Sequence, residues 1–516
     1  MADMYNRGAA DSHFLMTFPI RSNPAAATVE WIERRPWFAL TLIAILLAVQ
    51  ITPKLKMSPD GVSYLSVARS LLLHGELKRL GSPHVRYAPG YPVLISPAFL
   101  FGPQPFVAVQ IIQWFYAVLL ILGTYAWFAR YAGRSAIWVT ALALLNAGFW
   151  DLFRQASSEL AFMPCLMWGS VLLTGAAQSP KAGRAAAKMA GAIVLVAAAC
   201  ATRQAGAMLV VGFALAMAMQ AMRRQIGWGR AASCSAALGI CIAAVSWGLI
   251  ALDHRGAREA GPAEIGYTDA FRMPGKSLAA QVAEGVRRQT AEVGRLLLPG
   301  LWKTHAREWD WQDVNTWIFL AVCVPVAIGW WKLCKATADP LALTSPFYVA
   351  LYVVYPFDSG TRFTVPMLPV LAASVWFVLS PLGGKRSLIF LVLAVVHGLV
   401  AAGFWLDDAV HVRRRWEQWP AMEHVARAIP PQAKIIALRP SVDDQWMFLM
   451  YLSDRAVEPE TLQQPVASDA DWIVTSGAEP DWPGFHAVGQ VDDYKLETRN
   501  PRASAGAGGV IGRKGS

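Results

Sequence analysis

The chain has 516 residues, 55% of them hydrophobic and only 16% charged, with a formal net charge of +11 and a mean hydropathy of +0.36. That balance excludes an ordinary soluble domain and a disordered chain. The excess of base is not a nucleic-acid signal, because Lys and Arg gather in short loops between apolar runs. All six cysteines (Cys165, Cys200, Cys234, Cys241, Cys323 and Cys334) fall in or beside apolar runs, without CxxC or Cys/His ligand spacing, which argues against structural zinc, redox chemistry and a disulfide framework.

Residues 1–35 carry no signal-peptide cleavage pattern and read as a cytoplasmic, disordered segment ahead of a retained first span. Segments long enough to cross a hydrocarbon core of about 30 Å follow at 37–53, 103–129, 136–151, 159–177, 188–203, 205–222, 231–252, 314–333, 341–356, 363–380 and 387–405, about eleven in all. The predicted class is a mainly α, polytopic helical membrane protein whose transmembrane unit covers 36–405. Arg34 and Arg35, Arg130 and Arg134, Lys181, Arg184 and Lys188, Arg223, Arg224 and Arg230, Lys332 and Lys335, and Lys385 and Arg386 fall on one set of alternate connections, which marks that face as cytoplasmic. The first loop (54–102), the 253–312 loop and the tail from 406 then lie outside.

The first loop contains MSPDGVSYLSVARSLLLHGELKRLGSPHVRYAPGYP at 57–92. Pro59 suits the first turn of a helix, and Tyr64 follows Asp60 at i+4, on the same face. The pattern predicts an amphipathic helix lying at the membrane surface. Asp60 is then either a functional acid or the cap of that helix, a position Asp favours. Arg86 and Tyr87 lead into the proline-punctuated APGYPVLISPAFLF. In the second loop, KSLAAQVAEGVRRQTAEVGRLLLPGLW spaces its apolar residues as another amphipathic helix covering the bundle. The tail alternates helix (WEQWPAMEHVARAIP, DQWMFLMYLS) with strand (KIIALR, DWIVTS, FHAVGQVDDYKLETR), predicting a small extracytoplasmic α/β domain over 406–500. No Gly-rich phosphate loop follows any of these strands, and 501–516 reads as a disordered tail.

Ionisable residues at the ends of spans are costly and mark functional sites by default. Asp151, Arg154 and Glu159 flank the turn FWDLFRQASSELAF, Arg203 sits in ACATRQAGAM, and Asp358 and Arg362 sit in YPFDSGTRFTVPMLP. All fall on the face that carries Asp60. Singly, each reads equally as an interfacial ion pair; together they predict an outward-facing cavity of carboxylates and arginines. The planar donor fork of arginine suits a phosphate group. Tyr64, Tyr91 and Trp150 fit a sugar pocket or an interfacial aromatic belt.

In order, SPDGVSYLSVARSLLLHG with RYAPGYPVL, then the SSELAF, CATRQAG and GTRFTVPMLP turns, resemble bacterial membrane glycosyltransferases of the GT-C fold. The similarity is to the dolichyl-phosphate-mannose protein mannosyltransferase and aminoarabinose transferase group, over roughly residues 35–405. It implies an enzyme of the bacterial inner membrane that works at the extracytoplasmic face. Such an enzyme moves a hexosyl or pentosyl unit, with inversion, from a polyprenyl-phosphate donor to an acceptor hydroxyl. The implied partners are that donor, a lipid, glycan or protein acceptor, and the bilayer; nucleic acid is not among them. Asp60 corresponds to the family's first-loop acid, the general base. Gly61 stands where some relatives carry a second acid, so any such role passes to Glu76, Asp151 or Glu159, with Glu159 the second catalytic candidate. Arg203, Arg362 and Arg86 are expected at the donor phosphate, and Tyr64, Tyr87, Tyr91, Asp151 and Asp358 around the substrates. No cofactor or metal ligand set is implied, and divalent-metal dependence stays open. The alternative is a transporter or flippase of a lipid-linked sugar. Against it, the sequence has no internal repeat, and its charges lie at one face rather than at the midplane.

Overall fold

The computed structural model describes residues 24–83, 87–260, 277–298, 314–355, 360–429, 433, 435–438, 445–459, 472–476 and 484–499. Pro24–Arg34 (α1) is already helical, so the disorder expected for 1–35 does not extend over it; residues 1–23 lie outside the described set. Pro36–Ala48 (α2) is the first apolar helix, with its proline in the first turn where no N–H is missed.

Pro59–His74 (α3) and Gly90–Ile95 (α4) fill the first loop, with a two-stranded ribbon, Lys78–Arg79 (β1) and Ser82–Pro83 (β2), between them. The bundle continues with Phe106–Ala132 (α5), Ala136–Leu144 (α6), Ala147–Phe153 (α7), Ser158–Ala177 (α8), Ala182–Thr202 (α9), Met208–Met222 (α10) and Trp228–Ala260 (α11). Leu278–Leu297 (α12) is the helix expected in the second loop, and Val314–Thr337 (α13), Pro340–Val354 (α14), Leu368–Val378 (α15) and Lys385–Arg415 (α16) complete the apolar set.

Among the described residues, seven helical stretches are long and apolar enough to cross a membrane, with shorter apolar helices at Pro36–Ala48, Gly90–Phe101, Pro340–Val354 and Val365–Val378. Each of the eleven predicted segments coincides with an apolar helix. The chain is an integral, polytopic membrane protein. One predicted span, 136–151, is broken: Asn146 caps α7 by accepting from the Gly148 N–H at 2.9 Å, so α6 and α7 are separate helices.

The end of the bundle that carries the basic loops is stapled by two acids, the buried Asp339 and the half-buried Glu33. Asp339 caps α14 by accepting from the N–H groups of Leu341 (2.9 Å) and Ala342 (3.0 Å). Its other oxygen accepts from Trp127 Nε1 (2.9 Å) and the Tyr131 hydroxyl (2.6 Å), with Arg130 at 3.4 Å. Glu33 of α1 likewise accepts from Ser135 (2.8 Å), Trp138 (2.7 Å) and Ser387 (2.8 Å). Asp339→Ala removes a cap and strands several buried donors, each worth about 1–3 kcal/mol when left unpaired. Denaturation in detergent should report a loss on the order of 3–5 kcal/mol; a loss under about 1 kcal/mol would mean that water or a rearranged neighbour replaces the carboxylate.

At the opposite end, Trp419–Ala428 (α17), Gln445–Ser453 (α18) and a five-stranded sheet form the C-terminal layer. Its strands are Ile435–Leu438 (β3), Ala456–Pro459 (β4), Trp472–Ser476 (β5), His486–Val491 (β6) and Tyr494–Thr498 (β7). Their order is β4-β3-β5-β7-β6, with β3 parallel to both neighbours and the β5–β7 and β6–β7 pairs antiparallel. Every element expected in the tail is present, and β4 is added. The boundary expected at 406 is not a break, since α16 runs on to Arg415.

Trp416 and Trp419 stack at 4.6 Å and pack on Phe448, while Phe106 of α5 meets Trp416 and Tyr451 at 5.4 Å each. This second apolar core also takes in α3. The surface-lying amphipathic helix expected over 57–92 is therefore corrected: α3 is buried from Gly61 to Ala68, because α4 and the β1–β2 ribbon of its own loop pack on it together with α18 of the C-terminal layer. Arg69 of α3 pairs with Asp454 at 2.8 Å, and Ser66 donates to the same carboxylate at 2.6 Å.

Candidate active site

Four short chain segments meet at this end: the start of α3, the start of α8, the α9–α10 junction and the Gly360–Phe363 turn ahead of α15. At α3 the cap is Ser58, whose Oγ accepts from the Gly61 N–H at 3.2 Å. Asp60 is thus not the capping residue, and its carboxylate is free for other partners. It forms an ion pair with Arg362 and accepts from the Tyr87 hydroxyl at 2.7 Å. Burial pushes the Asp60 pKa up, but the Arg362 charge and the Tyr87 and Arg362 hydrogen bonds outweigh it and hold the carboxyl below its ordinary value. Gly75, in the left-handed region at φ +69°, ends α3.

Glu159, in the first turn of α8, pairs with Arg203 and accepts from Ser157 Oγ at 2.5 Å; Arg362 Nε stands 3.5 Å from its Oε1. Two carboxylates and two guanidiniums therefore form one quartet. Arg203 also donates to the Tyr352 hydroxyl (3.0 Å) and to Ser158 Oγ (3.3 Å), and Ser158 Oγ shares a hydrogen bond with the Tyr64 hydroxyl at 3.2 Å. Phe363 stacks on Tyr352 at 4.4 Å and lies against both guanidiniums, 4.8 Å from Arg203 and 5.1 Å from Arg362. Gly90 brings α4 onto this junction, since a β-carbon there would overlap the Ala201 carbonyl and the Thr202 amide.

The quartet borders a cleft of about 180 Å³ lined by Asp60, Tyr64, Tyr87, Ser158, Arg203, Tyr352, Arg362 and Phe363, among others. The cleft shares Tyr87, Ala88 and Gln204 with a roomier cavity of about 510 Å³ that reaches Glu76, Lys78, Asp253 and Arg255. Side-chain exposure separates the two acids: Asp60 is 21% exposed at the cleft wall, while Glu159 is 1% exposed behind it. Among the described residues, no group of three or more His, Cys, Asp and Glu is placed to hold a metal ion.

Of the residues singled out in the sequence, Asp60, Tyr64, Tyr87, Arg203 and Arg362 line the cleft, with Glu159 directly behind. Asp151 does not join them: it pairs with Lys56 at 2.6 Å and borders a different cavity with Trp150 and Asp408. Tyr91 is fully buried under Tyr64, with ring centroids 5.1 Å apart, and has no access to a substrate. Trp150 is likewise spent on packing, its indole N–H donating to the Leu144 carbonyl at 3.0 Å. Glu76 pairs with Lys78 at 2.6 Å on the outer cavity wall. Arg86 and Asp358 lie outside the described residues. Ser158, Tyr352 and Phe363 are additions. The signal for Tyr352 was its i, i+4 spacing from Tyr348 and the Tyr355 that follows, and for Ser158 the SSE run at a helix start.

No protein-family model and no curated protein matches the sequence. Solved structures do match. ArnT from Cupriavidus metallidurans bound to undecaprenyl phosphate superposes with a TM-score of 0.55 at 11% identity, covering 92% of this chain and 98% of that one. The chain has the GT-C fold. Another GT-C structure, the archaeal oligosaccharyltransferase AglB from Archaeoglobus fulgidus in complex with an inhibitory peptide and a dolichol-phosphate, matches with a TM-score of 0.54 at 11% identity, covering 87% of this chain and 70% of that one. The GT-C likeness thus extends over the C-terminal layer as well as the bundle, further than the 35–405 that the motifs covered.

Proposed function

We propose that this GT-C chain is a membrane glycosyltransferase that takes a sugar from a polyprenyl-phosphate donor and passes it, with inversion, to an acceptor hydroxyl. The observation that carries the reading is the placement, among the described residues, of one reachable carboxylate, Asp60, beside two arginines in a cleft at one end of the bundle. The solved structures it resembles include one holding undecaprenyl phosphate and one holding a dolichol-phosphate. A phosphate departs as an anion and needs no proton, so one carboxylate suffices as base on the acceptor side. A base held below its ordinary pKa is weak but stays ionised; it accepts the proton as the forming C–O bond acidifies the hydroxyl.

Arg203 and Arg362 stabilise the charge that grows on the leaving phosphate. Glu159, buried behind them, holds both guanidiniums in place and is assigned that task rather than proton transfer. The basic loops all lie at the other end of the bundle, which supports a cleft on the extracytoplasmic face of the bacterial inner membrane.

The test is transfer by the purified chain in nanodiscs, with undecaprenyl-phosphate-linked hexoses and pentoses as donors and an envelope lipid extract as acceptor pool. Mass spectrometry should find a glycosylated product and released undecaprenyl phosphate. Donor hydrolysis and transfer both at background for every sugar, with the same donors bound, would overturn the reading.

A further inference from the structure

Lys56, Arg154 and Asp408 take no part in lining the cleft, yet they join the two chain segments that lead to its acids. The Lys56 N–H donates to the Arg154 carbonyl at 3.1 Å, and Lys56 and Gln155 form an isolated parallel bridge. Asp60 and Glu159 each follow four residues after that bridge. The segments are in contact again at the acid itself, since a β-carbon on Gly61, next to Asp60, would meet the Ala156 carbonyl at 3.2 Å.

Side chains lock the crossing. Lys56 Nζ lies 2.6 Å from Asp151 and 3.5 Å from Asp408, Arg154 pairs with Asp408, and Gln155 Nε2 donates to Asp151 at 2.9 Å. Gln113 Nε2 donates to the Gln155 carbonyl at 2.5 Å. The network is partly buried, with Arg154 10% and Asp408 24% exposed. Asp408 is the member from far along the chain, on α16, the helix that continues to Arg415 and the C-terminal layer.

We propose that Asp408 is a positioning residue: through Arg154 and Lys56 it fixes the register of the two segments, and with it the placement of Asp60, Glu159 and their arginines. Without it, two cations face the single carboxylate of Asp151, and the crossing loses the group that holds them together. The helix that carries the C-terminal sheet thereby sets the geometry of the cleft. The catalytic consequence rests on the transferase reading, but the structural one does not.

The experiment compares wild type with Asp408→Asn as full chains in nanodiscs, by hydrogen exchange and by transfer kinetics. Exchange should quicken at least about tenfold in 56–62 and 155–160 and stay unchanged in α13 and α15. Turnover should fall about ten- to a hundredfold, the cost of displacing reacting groups by around 1 Å, and the donor KM should rise with it, because the arginines shift as well. Asp408→Glu, which keeps the charge, should recover part of the turnover. Exchange that rises evenly along the chain, or turnover per folded molecule that stays at the wild-type level, overturns the proposal. If Asp408→Asn does not fold, Arg154→Gln, which removes the same ion pair from its other side, decides by the same readings: local exchange and turnover both equal to wild type sink the assignment. A wild type that transfers nothing counts against the transferase reading alone, since exchange still tests the register.

Discussion

Asp60→Asn is expected to fold, to bind the lipid donor and to lower transfer by about 10²–10⁴-fold, the usual size of general-base catalysis. The substitution keeps the shape of the side chain and an oxygen for the Tyr87 hydroxyl (2.7 Å in the parent). The helix start is not at risk, because Ser58 rather than Asp60 caps α3. What is lost is the ability to accept a proton and the charge opposite Arg362, whose remaining partner is Glu159 at 3.5 Å. Turnover must therefore be expressed per folded molecule, from the same sample used for donor binding. Near-wild-type turnover in Asp60→Asn would remove this residue from the mechanism.

The sign of the pH dependence follows from the Arg362 and Tyr87 contacts. With the folded pKa below the ordinary aspartate value, the acid limb of the rate profile that belongs to Asp60 should lie below about pH 4. The stability contributed by the Asp60–Arg362 pair is present above the unfolded pKa and is lost as pH falls through the folded one.

Arg362→Ala is expected to weaken donor use by roughly ten- to a hundredfold in kcat/KM, as befits a charge-assisted contact worth about 1.5–3 kcal/mol. Arg362→Lys should recover only part, because a point charge lacks the planar fork. Arg203→Ala should do the same to the donor and harm folding as well, because it strips the main partner from a carboxylate that is 1% exposed. Breaking a buried pair on one side costs about 3–5 kcal/mol. Steady-state kinetics with donor and acceptor varied in turn separate the effects. An unchanged donor term with a raised acceptor KM would assign the arginines to the acceptor instead.

The acids and arginines of the quartet were legible because charge at the end of an apolar segment is expensive and therefore conspicuous. That the quartet's members share one end of the bundle was legible too, since Lys and Arg of the short loops mark the other. The direction each side chain faces around its helix was not. Asp151 and Glu159 flank the same short turn, yet one faces Lys56 and the other Arg203. Nothing in the turn itself distinguishes them, and the break that starts α7 rests on a single capping residue, Asn146, inside an otherwise apolar run. The burial of α3 was only half within reach: Tyr87 and Tyr91, which pack on Tyr64, belong to the same loop, but Tyr451 and Asp454, which close its other side, come from far along the chain. Strand β4 went unread because AVEP is short, ends in proline and follows α18 almost directly.

The quartet has an even tally of charge, two carboxylates against two guanidiniums, so among the described residues the charges at the cleft cancel. A donor joined through a phosphodiester carries one negative charge, whereas the polyprenyl phosphate left after transfer is a monoester whose second ionisation lies near pH 6. On the proposed reading, the spent carrier is thus more anionic than the loaded one, beside two arginines that are already matched. Its hold on the arginines would strengthen as the product ionises, so carrier departure, rather than sugar transfer, becomes the step through which the acidity of the surroundings governs the pace of the cycle.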